Sequence, residues 1–192
     1  METKQQTEAM IAFMYIALVV GLFLLNSDRI QKAIEIWNEC LILLNKTDQN
    51  RKGQFTSPLL LIYKATYIAL FSAYRSISDY ISAERYGMKL LVLLSETGDR
   101  KGAALCYGNL GTVFRSLGQY DKAKEYLQKA LLITTEIGDR KGEASCYGNL
   151  GTVFDSLGQY DKAKEYHQKA LLIRTEIGDR EGVAADYGNL GT

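Results

Sequence analysis

Residues 98–137 read GDRKGAALCYGNLGTVFRSLGQYDKAKEYLQKALLITTEI, and residues 138–177 repeat them with five changes in forty positions. A third copy starts at Gly178 and runs to Thr192. A fixed period of this length marks a stacked-repeat protein, in which each unit buries its apolar face against its neighbours. The expected fold is all-α, a solenoid of antiparallel helix hairpins. Such arrays offer extended surfaces to partners far more often than they house catalytic machinery.

Within one copy, Ala104, Tyr107, Leu110, Gly111 and Phe114 recur at three- and four-residue steps, the apolar stripe of a first helix. Gly118 ends it, because glycine readily takes the left-handed conformation after a helix. A second helix starts near Tyr120, with Asp121 in its first turn and a stripe of Ala123, Tyr126, Leu127, Ala130 and Leu131. Glu125 and Lys129 are spaced for an ion pair on its outer face. Gly138 closes this helix and Asp139 caps the next.

This arrangement resembles a tetratricopeptide repeat. The residues that carry the likeness are Tyr107, Leu110, Gly111, Phe114, Ala123 and Ala130, then Tyr147, Leu150, Gly151, Phe154, Ala163 and Ala170. Thr135 and Thr175 stand where that motif often has proline, and the unit is six residues longer than usual, which resembles the repeats of Pins-type adaptors and of tetratricopeptide repeat protein 28-like chains. The resemblance implies a right-handed α-solenoid whose first helices line a concave groove. It also implies that Asn109, Asn149 and Asn189 contact bound peptides, beside Thr112, Thr152 and Thr192; a hydrogen bond to the neighbouring repeat is the alternative reading of the same asparagines. Arg140 and Arg180, from the Gly-Asp-Arg turns, would approach the same groove. A chaperone-tail clamp needs Lys and Asn where this chain has Gly108 and Thr112, then Gly148 and Thr152, so that class of receptor does not fit.

The register extends backwards. Tyr67, Leu70, Tyr74, Tyr80 and Ala83 match the pattern, with Phe71 at the packing-glycine position and Gly87 at that of Leu127. Ala33, Glu35, Cys40 and Leu41 fall in register one further step back, which puts Gly21 at the packing position and Trp37 between two helices. The expected organisation is a divergent hairpin and loop over residues 1–57, a degenerate repeat over 58–97, repeats at 98–137 and 138–177, and an incomplete repeat at 178–192. Hairpins are expected at about 9–47, 59–97, 102–137 and 142–177, with a polar loop over 47–57 ahead of Pro58. The array reads as truncated at its C-terminus, because the last first-helix lacks a partner.

Residues 10–25, MIAFMYIALVVGLFLL, are uncharged and fall short of the roughly 20 residues that span a bilayer. The in-register Gly21 makes them a buried repeat helix; a membrane anchor stays open as the alternative. Lys plus Arg exceed Asp plus Glu by only one, and the charges are interspersed, which excludes a nucleic-acid footprint. No phosphate loop or nucleophile elbow appears, and His167 is the single histidine. Neither enzyme activity, metal nor cofactor is therefore expected. Cys40, Cys106 and Cys146 read as reduced core residues of a cytoplasmic protein, and His167 as a semi-buried residue bonded locally.

The five differences between the clean copies are Ala103/Glu143, Leu105/Ser145, Arg115/Asp155, Leu127/His167 and Thr134/Arg174. Leu105/Ser145 and Arg115/Asp155 are assigned to the groove, where a charge reversal would select ligands. The expected function is a scaffold that holds a peptide segment of a partner protein in the groove. The alternatives are the sensor arm of a larger signalling ATPase and a membrane-anchored receptor.

Overall fold

Aspartates and glycines at fixed places in the period set where each helix starts and stops. In the structure, a computed structural model that describes residues 4–26, 29–50 and 57–191, the described residues form helices and no strand. The helices are α1 (Lys4–Asn26), α2 (Ile30–Asn50), α3 (Ser57–Ser76), α4 (Tyr80–Glu96), α5 (Arg100–Ser116), α6 (Tyr120–Glu136), α7 (Arg140–Ser156), α8 (Tyr160–Glu176) and α9 (Arg180–Leu190). The described residues are thus all-α, and the chain falls into two compact units of stacked helix hairpins, Met1–Leu90 and Leu91–Thr192.

In the second unit each first helix is capped by the aspartate of a Gly-Asp-Arg turn. Asp99 accepts from the Gly102 N–H at 2.8 Å, Asp139 from Gly142 at 3.0 Å and Asp179 from Gly182 at 3.1 Å. Each bond satisfies a donor that the helix start leaves unpaired. Gly118 and Gly138 stop the helices before them at φ +72°. Ser78 occupies the place of Gly118 one period earlier and holds φ +59°, where a side chain is strained. Ser78→Gly is therefore expected to stabilise the first unit by about 1 kcal/mol, read as a raised denaturant midpoint. An unchanged midpoint would mean the turn tolerates serine.

Close helix approach within a hairpin depends on one glycine. A Cβ on Gly111 would lie 2.6 Å from Leu127 Cγ, and one on Gly151 would lie 2.7 Å from the His167 ring. Leu110, Leu127, Ala123 and Ala130 are fully buried there, and each buried leucine stabilises by about 2 kcal/mol. In the first unit Gly21 plays the same part, its missing side chain replaced by the Trp37 indole, itself fully buried. Phe71 and Gly87 are both buried, consistent with bulk exchanged between two helices.

The loop expected over residues 47–57 is shorter. Helix α2 runs on to Asn50 and α3 opens at Ser57, with Pro58 in its first turn, where the missing N–H removes no helical bond. Residues 51–56 lie outside the described residues, as does Thr192. Among the described residues no helix is long and apolar enough to cross a membrane.

Candidate functional site

Helices α5 and α7 run side by side in the second unit and enclose a groove of about 530 Å³. Lys101 and Lys141 line it near the helix starts, followed by Leu105 with Ser145, then Gly108, and then Asn109 with Asn149. The two lysines are exposed, Leu105 is 69% exposed, and both asparagines are half-buried. Neither asparagine side chain bonds to a neighbouring repeat among the described residues. Each therefore presents an amide, one donor and one acceptor group, to the groove.

The other residues expected at the site are spread more widely. Thr112 sits one turn beyond Asn109 and donates to the Asn109 carbonyl at 2.7 Å; Thr152 donates to the Gly148 carbonyl at 3.0 Å. Arg140 is committed elsewhere, pairing with Glu143 at 2.7 Å and Glu176 at 2.6 Å, so it ties the two ends of its own hairpin together. Arg100 and Glu136 make the equivalent pair one repeat earlier. Arg180 and Asn189 are both exposed on α9.

Arg115 is half-buried, and Asp155 does not offer its carboxylate to the groove as the sequence reading assigns. Its Oδ2 lies 3.0 Å from His167 Nε2 on α8. Thus two of the five differences between the copies meet in the second copy, as Asp155 with His167, at the places of Arg115 and Leu127 in the first. His167 is 1% exposed, and its Nδ1 has no partner.

Another of the five, Thr134 to Arg174, is matched across the next interface by the change from Cys146 to Asp186 in the third copy. Thr134 on α6 lies beside the Cys146 thiol on α7, and its own hydroxyl donates to the Leu131 carbonyl at 2.9 Å. At the equivalent places on α8 and α9, Arg174 Nη1 bonds Asp186 Oδ1 at 2.7 Å, and Asp186 is fully buried. Arg174 also donates to the Gly182 carbonyl at 3.0 Å. Glu143, the fourth change, pairs with Arg140. Of the five substitutions, Leu105/Ser145 is the one with both members in the groove lining, and Thr134 lines it in the first copy. Most of the divergence tunes packing between helices.

The sequence reading missed the glycine at 102, 142 and 182. A Cβ there would meet Leu94, Thr134 or Arg174 of the preceding second helix, so this residue sets how closely one hairpin stacks on the next. Its recurrence in all three copies was the available signal. It also missed Asn38, which accepts from Tyr86 Oη at 2.6 Å and donates to Tyr74 Oη at 3.3 Å inside the first unit.

The cysteines are buried and form no disulfide. Burial pushes the Cys106 thiol up to about 12 and the Cys146 thiol up to about 11, so both stay protonated at neutral pH. No group of histidine, cysteine and acidic side chains suited to a metal occurs among the described residues.

Two overlapping segments, residues 65–131 and 107–174, match the tetratricopeptide repeat family, and together they span more than half the chain. A search of curated proteins finds no match. Among solved structures, the chain resembles a signal transduction ATPase with numerous domains that carries a tetratricopeptide repeat sensor, from Pyrococcus horikoshii. That likeness has a TM-score of 0.82 at 18% identity, over 94% of this chain and 27% of the other. It also resembles BtubC of P. vanneervenii, with a TM-score of 0.63 at 22% identity over 99% of this chain and 83% of the other. Aspartyl phosphate phosphatase F from Bacillus subtilis gives a TM-score of 0.72 at 15% identity, over 92% of this chain and 44% of the other. At these identities the likeness is one of fold. The chain spans about a quarter of the first of these proteins.

Proposed function

The chain belongs to the tetratricopeptide repeat family, and we propose that it is a non-enzymatic scaffold that holds a peptide segment of a partner protein between α5 and α7. The observation that carries this reading is the pair Asn109 and Asn149, one repeat apart in one groove, with amides that bond no neighbouring repeat among the described residues. A primary amide pairs with a peptide main chain through both donor and acceptor, so it holds an extended ligand without dictating its side chains. The groove floor favours such an approach. A Cβ on Gly108 would meet only the Ala130 methyl, at 4.0 Å, so a ligand backbone can come close to α5.

The test uses twelve-residue peptides selected from a random phage-displayed library on the immobilised chain, resynthesised with a fluorescent label. Asn109→Ala with Asn149→Ala is expected to weaken their binding about ten- to thirtyfold, as for two neutral hydrogen bonds of roughly 1 kcal/mol each, with helicity unchanged by circular dichroism. Unchanged affinity would remove the asparagines from the site. Lost helicity would assign them to packing.

A second reading, that the repeats form the sensor arm of a larger signalling ATPase, is favoured by the likeness to the Pyrococcus horikoshii protein. A nucleotide-binding domain encoded in the same open reading frame would establish it. The groove would serve the same purpose there.

A further inference from the structure

We propose that the chain pairs with a second copy of itself through α1, the two helices lying antiparallel about a two-fold axis. Helix α1 is buried on one side only. Met14, Ala17 and Leu18 pack within the first unit, and Gly21 lies against the Trp37 indole. On the opposite side Ile16 is 62%, Val19 65% and Phe23 71% exposed, with Ala12 exposed beside them. Phe13 and Val20 flank this line on one edge and Tyr15 and Leu22 on the other, each 40–57% exposed. A fully exposed side chain of this size presents roughly 150–200 Å². The seven large ones therefore offer on the order of 600–800 Å² of apolar surface. That exceeds the roughly 300–600 Å² of the largest patch on an ordinary monomer. It approaches the about 800 Å² that each partner buries in a stable complex.

The spacing of these residues fits a second copy. Ala12, Ile16, Val19 and Phe23 follow one another at steps of four, three and four, the a and d spacing of a helix that pairs with another helix. The steps read the same in both directions, so a two-fold axis midway between Ile16 and Val19 maps the line onto itself. Ile16 of either copy then lies opposite Val19 of the other, and Ala12 lies opposite Phe23, a small residue against a large one. Such a pair is closed and self-complementary. Residues 10–25 carry no charge, so each copy offers the other a surface that strands no ion on burial. A lipid surface fits less well. Helices that lie on a bilayer keep a face rich in Lys and Arg at the headgroups, whereas the second face of α1 is apolar and packed against protein.

The test is sedimentation velocity on the full chain, beside the variant carrying Ile16→Glu and Val19→Glu. The parent is expected at twice the mass of one chain. The variant is expected at the mass of one, its pairing weakened at least about a hundredfold, because the axis would bring four like charges together in an apolar seam. Glutamate is a good helix former at exposed positions, so helicity by circular dichroism should not change. A second measurement does not depend on that variant. Chains with Ala12→Cys mixed with chains with Phe23→Cys should give the mixed disulfide on mild oxidation, since the native cysteines are buried. A parent chain that sediments as a monomer would overturn the proposal, and flotation of that monomer with phosphatidylcholine vesicles would assign the face to lipid. A dimer that survives both glutamates, or Ala12→Cys chains that cross-link chiefly to themselves, would overturn the antiparallel pairing through α1. None of these outcomes bears on the groove, which lies in the second unit.

Discussion

Arg174→Met is expected to undock α9 from α8, with its amides exchanging freely at neutral pH while α5–α8 stay protected. Asp186 is fully buried, and Arg174 holds both its carboxylate and the Gly182 carbonyl. Removing one partner of a buried ion pair strands the other in a medium that solvates it poorly, at about 3–5 kcal/mol. An eleven-residue helix with most of one side exposed has little else to set against that loss. Burial holds the Asp186 carboxyl above its ordinary value, and Arg174 and His167 draw it back only in part. A carboxyl raised in the folded state binds its proton more tightly folded than unfolded. Docking is therefore strongest at and below the ordinary carboxylate range and weakens as pH rises through the raised value. Without Arg174 the rise is larger, so the variant should recover protection of α9 on acidification toward pH 5. Full protection of α9 in the variant at neutral pH would show that the pair does not hold the helix.

Asp155→Arg is expected to destabilise the second unit by about 2–3 kcal/mol, because it takes the Nε2 partner from a histidine that already has an unpaired Nδ1. His167→Leu should act in the opposite sense. It replaces a buried polar ring by the residue that packs against Gly111 one repeat earlier, and Asp155, 40% exposed, stays solvated. A gain of about 1–2 kcal/mol follows from removing one unsatisfied buried group. The two changes together restore the residue pair of the first copy, Arg115 and Leu127. A double-mutant cycle by urea denaturation should then show a coupling of at least about 1 kcal/mol. Additive effects, or a lowered midpoint for His167→Leu, would mean that the histidine is better satisfied than its contacts indicate.

Much of the helical architecture was legible because the cues are local. The aspartate cap, the glycine stop and the three- and four-residue apolar stripe each act within a few residues of themselves. Trp37 against Gly21 could be anticipated by the same means, since a period carried backwards puts a large residue opposite a small one. The extension of α2 to Asn50 was not legible, because Thr47, Asp48, Gln49 and Asn50 are polar and carry no apolar period. The groove was half legible. Asn109 and Asn149 stood out as mid-helix asparagines at a fixed period, whereas Lys101 and Lys141 carry no signal in the sequence that sets them apart from other charges.

By itself the sequence determined the fold class, the helix starts and stops of the clean copies, the packing glycine inside each hairpin and the place of the asparagine ladder, because periodicity and capping are short-range physics. It also displayed all five differences between the copies, but not their meaning. Whether a changed residue meets ligand or protein depends on what lies across from it, twelve positions away in the case of both Asp155 with His167 and Arg174 with Asp186. Only the tertiary structure decided that Asp155 turns to α8, that Arg174 and Asp186 replace Thr134 and Cys146 at a helix interface, and that Lys101 and Lys141 are left facing the groove.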